Sequence, residues 1–246
     1  MDAGAIFQTF SVLLFAHLLA DFPLQPERIA INKGKIPVLS VHIAIVTGAA
    51  LAALGYFAPA IIITIAATHF TIDLFKSRKG TFNLAWFLAD QGAHIGVVAA
   101  VSLLWPADLS HSLIYRHLAP DQLAAVLGVM MLGSGFIIAV LAGTYAIELF
   151  LKPFGNAAGV APGLPKGARA IGQLERLMIF VFTVIGAPAA NGLLIIAKAI
   201  LVFGDIRAQG QRKYTEYAVI GALASFAWAI GISQLAVWAS RYFLPG

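Results

Sequence analysis

Three pairs of residues in this chain set an imidazole four positions from a carboxylate: His17 with Asp21, His69 with Asp73 and, in reversed order, Asp90 with His94. Each pair stands at the end of a strongly apolar run. On a helix that spacing places both side chains on one face, about one turn apart. Mixed imidazole and carboxylate donors suit Zn²⁺, Mn²⁺ or Fe²⁺ better than Ca²⁺, which prefers an all-oxygen shell. The chain contains no cysteine, so a metal here must use His, carboxylate, carbonyl or water.

The elements that position these pairs follow from composition. With 60% hydrophobic residues, 11% charged residues and a mean hydropathy of +0.88, the chain lies far from soluble domains and reads as an integral membrane protein. At roughly 20 apolar residues per crossing, 246 residues hold about seven or eight helical spans with short loops. The expected fold is an all-α, polytopic transmembrane bundle of about eight spans near 4–20, 38–57, 59–75, 86–105, 122–151, 171–187, 189–206 and 216–241. Pro59 and Pro188 mark breaks that could also be kinks within longer helices. A first half, 1–151, carries the His/Asp cluster. The Gly-, Pro- and Ala-rich stretch 152–170 reads as a linker to a second half, 171–246, of the same membrane domain. The N-terminal run follows Asp2, has no basic n-region or small-x-small cleavage site, and is expected to be a retained helix.

With eight spans, nearly all basic residues fall on one side: Arg28, Lys33 and Lys35, then Lys76, Arg78 and Lys79, then Lys152, Lys166 and Arg169, then Arg207, Arg212 and Lys213. Only Arg116 and Arg241 fall opposite. The positive-inside rule makes the basic side cytoplasmic and both termini extracytoplasmic. The pI near 9.6 reflects this asymmetry, and no basic-aromatic patch points to nucleic acid.

This topology gives the three pairs a common polarity. The first and third spans run toward the cytoplasm, so His17 and His69 lie deeper than Asp21 and Asp73. The fourth runs back, and its reversed motif again leaves His94 deeper than Asp90. His42 enters the second span at about the level of the other histidines. Any single pair is adequately explained by an interhelical hydrogen bond or a helix-end carboxylate facing water. Three pairs at matched depth point instead to metal, because intramembrane ionisable groups are costly and mark function. The candidate ligands are His17, Asp21, His42, His69, Asp73, Asp90 and His94. Seven exceed one tetrahedral shell and allow either one ion with carboxylates orienting the histidines, or two ions bridged by a carboxylate.

A second polar set lies in the later spans. Glu175 and Arg176 fall near the start of the sixth, Lys198 well inside the seventh and Glu216 at the start of the eighth. Lys198 stands about 12 Å from the helix end at 1.5 Å per residue, so a partner in Glu175 or Glu216 is expected. A structural ion pair and a substrate contact both fit. His111, His117, Asp108 and Asp121 fall in an outer loop and are expected to be solvated. No repeat, phosphate loop or Gly-x-Ser-x-Gly elbow is present.

The residues His17-Leu-Leu-Ala-Asp-Phe-Pro-Leu-Gln25, His42, His69-Phe-Thr-Ile-Asp-Leu-Phe-Lys76 and Asp90-Gln-Gly-Ala-His94 resemble a bacterial inner-membrane family, domain of unknown function 3307. The resemblance continues through Ile171-Gly-Gln-Leu-Glu-Arg176, Ala197-Lys198 and Glu216-Tyr217. It implies a multi-pass protein of the bacterial inner membrane. The first-half pattern is also loosely similar to LexA-regulated membrane-bound metal-dependent hydrolases, an analogy of reaction class alone.

The leading expectation is a metal-dependent hydrolase with one or two divalent ions, Zn²⁺ or Mn²⁺, near the cytoplasmic side. It would act on a lipid or lipid-linked ester or phosphoester. Asp21, Asp73 and Asp90 would be ligands, orienters or the general base, and Lys76, Arg176 and Lys198, with Glu175 and Glu216, would contact the substrate. Two other classes use the same residues. In an ion- or proton-coupled transporter they line a pathway gated by Lys198 and its partner, and in a non-catalytic assembly subunit they only fasten helices together.

Overall fold

The computed structural model describes residues 2–79, 83–158, 167–209 and 212–244, and among these every regular element is helical. Ten α-helices follow one another: α1 (Ala3–Asp21), α2 (Glu27–Asn32), α3 (Ile36–Leu54), α4 (Pro59–Lys79), α5 (Leu84–Leu104), α6 (Pro120–Phe136), α7 (Gly143–Ala158), α8 (Gly167–Val184), α9 (Pro188–Gln209) and α10 (Arg212–Ser240). A π-helical turn, Ile137–Ala142, joins α6 to α7 without a break in the helix.

Local chemistry sets these boundaries. Proline is the first residue of α4, α6 and α9, where its missing N–H is no loss and its fixed φ suits the first turn. Asp2 caps α1 by accepting from Gly4 N at 2.9 Å, and Asn83 caps α5 by accepting from Trp86 N at 2.9 Å. Gly55 ends α3 at φ 72°, and Gly186 takes φ 74° between α8 and α9, so Pro59 and Pro188 both begin new helices.

Among the described residues six helical stretches are long and apolar enough to cross a membrane: Ala3–Asp21, Ile36–Leu54, Pro59–Arg78, Leu84–Leu104, Pro120–Gly155 and Thr215–Ser240. The other two expected spans fall on α8, which carries Glu175 and Arg176, and on α9, which opens with the apolar stretch Pro188–Leu201. α7 extends through Ala158, into the stretch expected as a linker. Its remainder at 159–166, including Lys166, lies outside the described residues.

Two compact units are distinguished, Met1–Ser134 with Ser240–Gly246, and Gly135–Ala239. In the first, α1 packs on α3 and α5, α3 on α4, and α4 on α5, which closes a ring of four helices. Val12, Leu13, Leu18, Leu39, Val46 and Leu54 fill its interior and are fully buried. The turn after α5 is tied back where Ala107 N donates to Thr9 Oγ1 at 2.8 Å and Tyr115 Oη donates to Ala53 O at 2.7 Å. In the second, α8 packs on the π turn and on α9, with Ala139, Val140, Phe180 and Ala236 in one apolar cluster and Ile179, Phe226 and Ala229 in another.

Candidate metal centre

All seven candidate ligands lie in the four-helix ring, and all are buried. α1 supplies His17 and Asp21 in its last two turns, α3 supplies His42, α4 supplies His69 and Asp73, and α5 supplies Asp90 and His94. Because α1 and α4 run opposite to α3 and α5, the C-terminal parts of the first two meet the N-terminal parts of the second two. The four imidazoles cluster: His69 stacks on His94 with ring centroids 4.0 Å apart, and His17 lies 5.2 Å from His94 and 5.6 Å from His69.

Four donor atoms form a tight set. His42 Nε2 lies 3.2 Å from His69 Nε2, 3.2 Å from Asp21 Oδ1 and 3.4 Å from Asp73 Oδ2. His69 Nε2 lies 3.3 Å from Asp21 Oδ1 and 3.5 Å from Asp73 Oδ2. Ligand bonds of about 2.0–2.2 Å in a tetrahedral shell put neighbouring donors about 3.3–3.6 Å apart. The five separations lie at or near that spacing. A wider set adjoins it: His94 Nε2 lies 3.8 Å from Asp73 Oδ1 and 3.7 Å from Asp90 Oδ1. Asp73 thus turns one oxygen toward each set. Three groups of possible ligands result, His17/Asp21/His69, His42/His69/Asp73 and Asp73/Asp90/His94, each with its donor atoms within 4.8 Å of one another.

Hydrogen-bond accounting points the same way. His17 Nε2, Asp73 Oδ1, Asp90 Oδ1 and His94 Nε2 are buried without a hydrogen-bond partner, and Asp21 Oδ1 faces the ring nitrogens of His42 and His69. A buried polar atom left unsatisfied costs about 1–3 kcal/mol, and more when charged. Cations bound in the three groups would take up such lone pairs. These residues fit a metal.

The other carboxylate oxygens are held from outside. Lys33 Nζ donates to Asp73 Oδ2 at 2.9 Å, Lys76 Nζ to Asp90 Oδ2 at 2.5 Å, and Gln91 Nε2 lies 3.4 Å from Asp21 Oδ2 and 3.3 Å from Asp90 Oδ2. Sequence reasoning took Lys33 only as a topological charge and passed over Gln91, although Gln91 lies inside the Asp90–His94 motif. A cavity of about 10 Å³, enough for one water, adjoins the histidines on the side away from the lysines. Its walls are His17, His69, His94 and Thr68 with the apolar Leu13, Val46, Ile65 and Val98.

The second polar set falls in the other unit. Lys198 Nζ pairs with Glu175 Oε1 at 2.6 Å. Arg176 is buried and donates to Thr144 Oγ1 at 2.7 Å, Ser225 Oγ at 3.0 Å and the Val140 carbonyl of the π turn at 3.4 Å. Glu216 is exposed on α10. Between α5 and α6, His111 and Asp108 are largely solvated with their closest atoms 3.7 Å apart.

No curated protein and no solved structure matches the chain, and nothing in these comparisons supports the looser likeness to LexA-regulated hydrolases. Residues 9–119, the stretch that carries all seven candidate ligands, match the family model described as Protein of unknown function (DUF3307).

Proposed function

We propose that this chain is a multi-pass protein of the bacterial inner membrane and a metal-dependent hydrolase, cleaving an ester or phosphoester of a lipid or lipid-linked substrate near the cytoplasmic face. The observation that carries the reading is the set of close-spaced donors from α1, α3 and α4, with unpartnered oxygens and nitrogens around it. A divalent ion bound there polarises the scissile group and lowers the pKa of a bound water toward neutrality. Three of these donors, as in His17/Asp21/His69 or His42/His69/Asp73, would hold it and leave a position open for the water, and His94 with Asp90 would hold a second ion or orient the first set. The water-sized cavity beside His17, His69 and His94 leaves room for the nucleophile among the imidazoles. Zn²⁺ and Mn²⁺ fit the donor types best.

The burial of every donor also favours a second reading, in which the ion only fastens the four helices together. Elemental analysis of detergent-purified protein tests the metal first. Wild type is expected to carry one or two ions per chain, and His69→Ala and Asp73→Ala to lose them. Hydrolysis of phosphoester lipids in mixed micelles that follows metal content supports the enzyme. Metal without turnover leaves the fastener, and no metal in wild type after Zn²⁺ or Mn²⁺ is supplied sinks both.

A further inference from the structure

We propose that Lys33, with Lys76 beside it, is the anion-binding element of the metal centre, and that the group it receives is a phosphate. This rests on the metal reading above and specifies the substrate class. Three observations carry it. The first is the division of labour among carboxylate oxygens. Asp90 turns Oδ1 to His94 and gives Oδ2 to Lys76, while Asp73 gives Oδ2 to Lys33. That Asp73 Oδ2 is also one of the close-spaced donors, 3.4 Å from His42 Nε2 and 3.5 Å from His69 Nε2. A cation bound among these donors shares Asp73 Oδ2 with the ammonium and repels it across that oxygen.

The second is charge. Three carboxylates against two ammonium groups leave one negative charge in a buried site, and a divalent ion turns this into one positive charge. An uncompensated charge in an apolar interior is expensive, so the loaded site favours an anionic ligand over a neutral ester. The third is placement. Lys33 lies in the short connection between α2 and α3, and its side chain keeps 13% of its surface accessible while Asp73 keeps 1%. The lysine therefore stands between the buried donors and the outside, with a long flexible stem that can swing from carboxylate to ligand.

The test measures inorganic phosphate binding to the full-length protein in detergent, loaded with Mn²⁺, through paramagnetic relaxation of the ³¹P signal. Metal content is determined on the same samples before phosphate is added. Wild type is expected to bind phosphate only when loaded. Lys33→Gln is expected to keep its Mn²⁺ and to weaken phosphate binding at least tenfold, and Lys33→Arg to restore most of it. Phosphate binding by Lys33→Gln equal to wild type overturns the proposal, and so does equal binding by metal-free wild type. Loss of Mn²⁺ in Lys33→Gln, with Lys33→Arg as the folding control, makes Lys33 a positioning residue for Asp73 and also overturns it. A wild type without metal is recognised before phosphate is added, and it removes the hydrolase reading together with this one. Competition by phosphatidic acid in mixed micelles, against phosphatidylcholine as control, separates a lipid head group from free phosphate as the source of the anion.

Discussion

Asp73 answers to two sets of nitrogen donors at once, through Oδ2 toward His42 and His69 and through Oδ1 toward His94. Gln91 has the complementary role, with its amide close to both Asp21 and Asp90. Such outer groups fix the orientation of ligating carboxylates, and their removal typically costs about 10–100-fold in metal affinity. Gln91→Leu is therefore expected to weaken metal binding by that factor with stoichiometry preserved at saturating ion, as read by chelator competition. Unchanged affinity would show that the carboxylates need no such support. At this scale the i, i+4 pairs were legible because helical spacing alone puts both side chains on one face. Lys33 was not legible, because its contact with Asp73 spans 40 residues and no local pattern marks it.

The helices were largely legible as long apolar runs, and their ends were marked by Pro59, Pro120, Pro188 and Gly55. α2 was missed because its six residues bury nothing and carry no apolar period. The π turn was also invisible, since what accompanies it is tertiary: Arg176 and Trp228 donate to the carbonyls of Val140 and Ile138. Gly55 permits a direct test at the level of the element. It combines a left-handed φ of 72° with a close approach, since a Cβ there would lie 2.3 Å from Ser112 Oγ. Gly55→Ala is expected to destabilise the α3–α4 turn by about 1–3 kcal/mol, seen as a lower unfolding midpoint in detergent. A midpoint equal to wild type would mean that the turn relaxes without strain.

For the molecule as a whole, a metal that binds the folded chain alone must stabilise it by mass action. At an ion concentration 100 times the dissociation constant the gain is about 2.7 kcal/mol. Chelation is expected to lower the thermal midpoint of wild type and to leave Asp73→Ala unmoved, so a chelator effect of equal size in both would place the ion elsewhere. Composition made the apolar, all-helical character plain, and six helical stretches of the described residues have the length and apolarity to cross a membrane.

The placement of the four-helix ring's donors also has an electrical consequence. They gather toward one end of α1, α3, α4 and α5, and behind the histidines stand Leu13, Val46, Ile65 and Val98. In a bilayer, voltage falls across the apolar part of a bundle, where an elementary charge moved through the whole field gains about 2.3 kcal/mol per 100 mV. An ion that reached the donors from the lysine end would stop before that wall and traverse only part of the field. Its occupancy would follow the ion concentration on its own side, with membrane polarisation a secondary influence, and such a centre would draw little work from the resting potential.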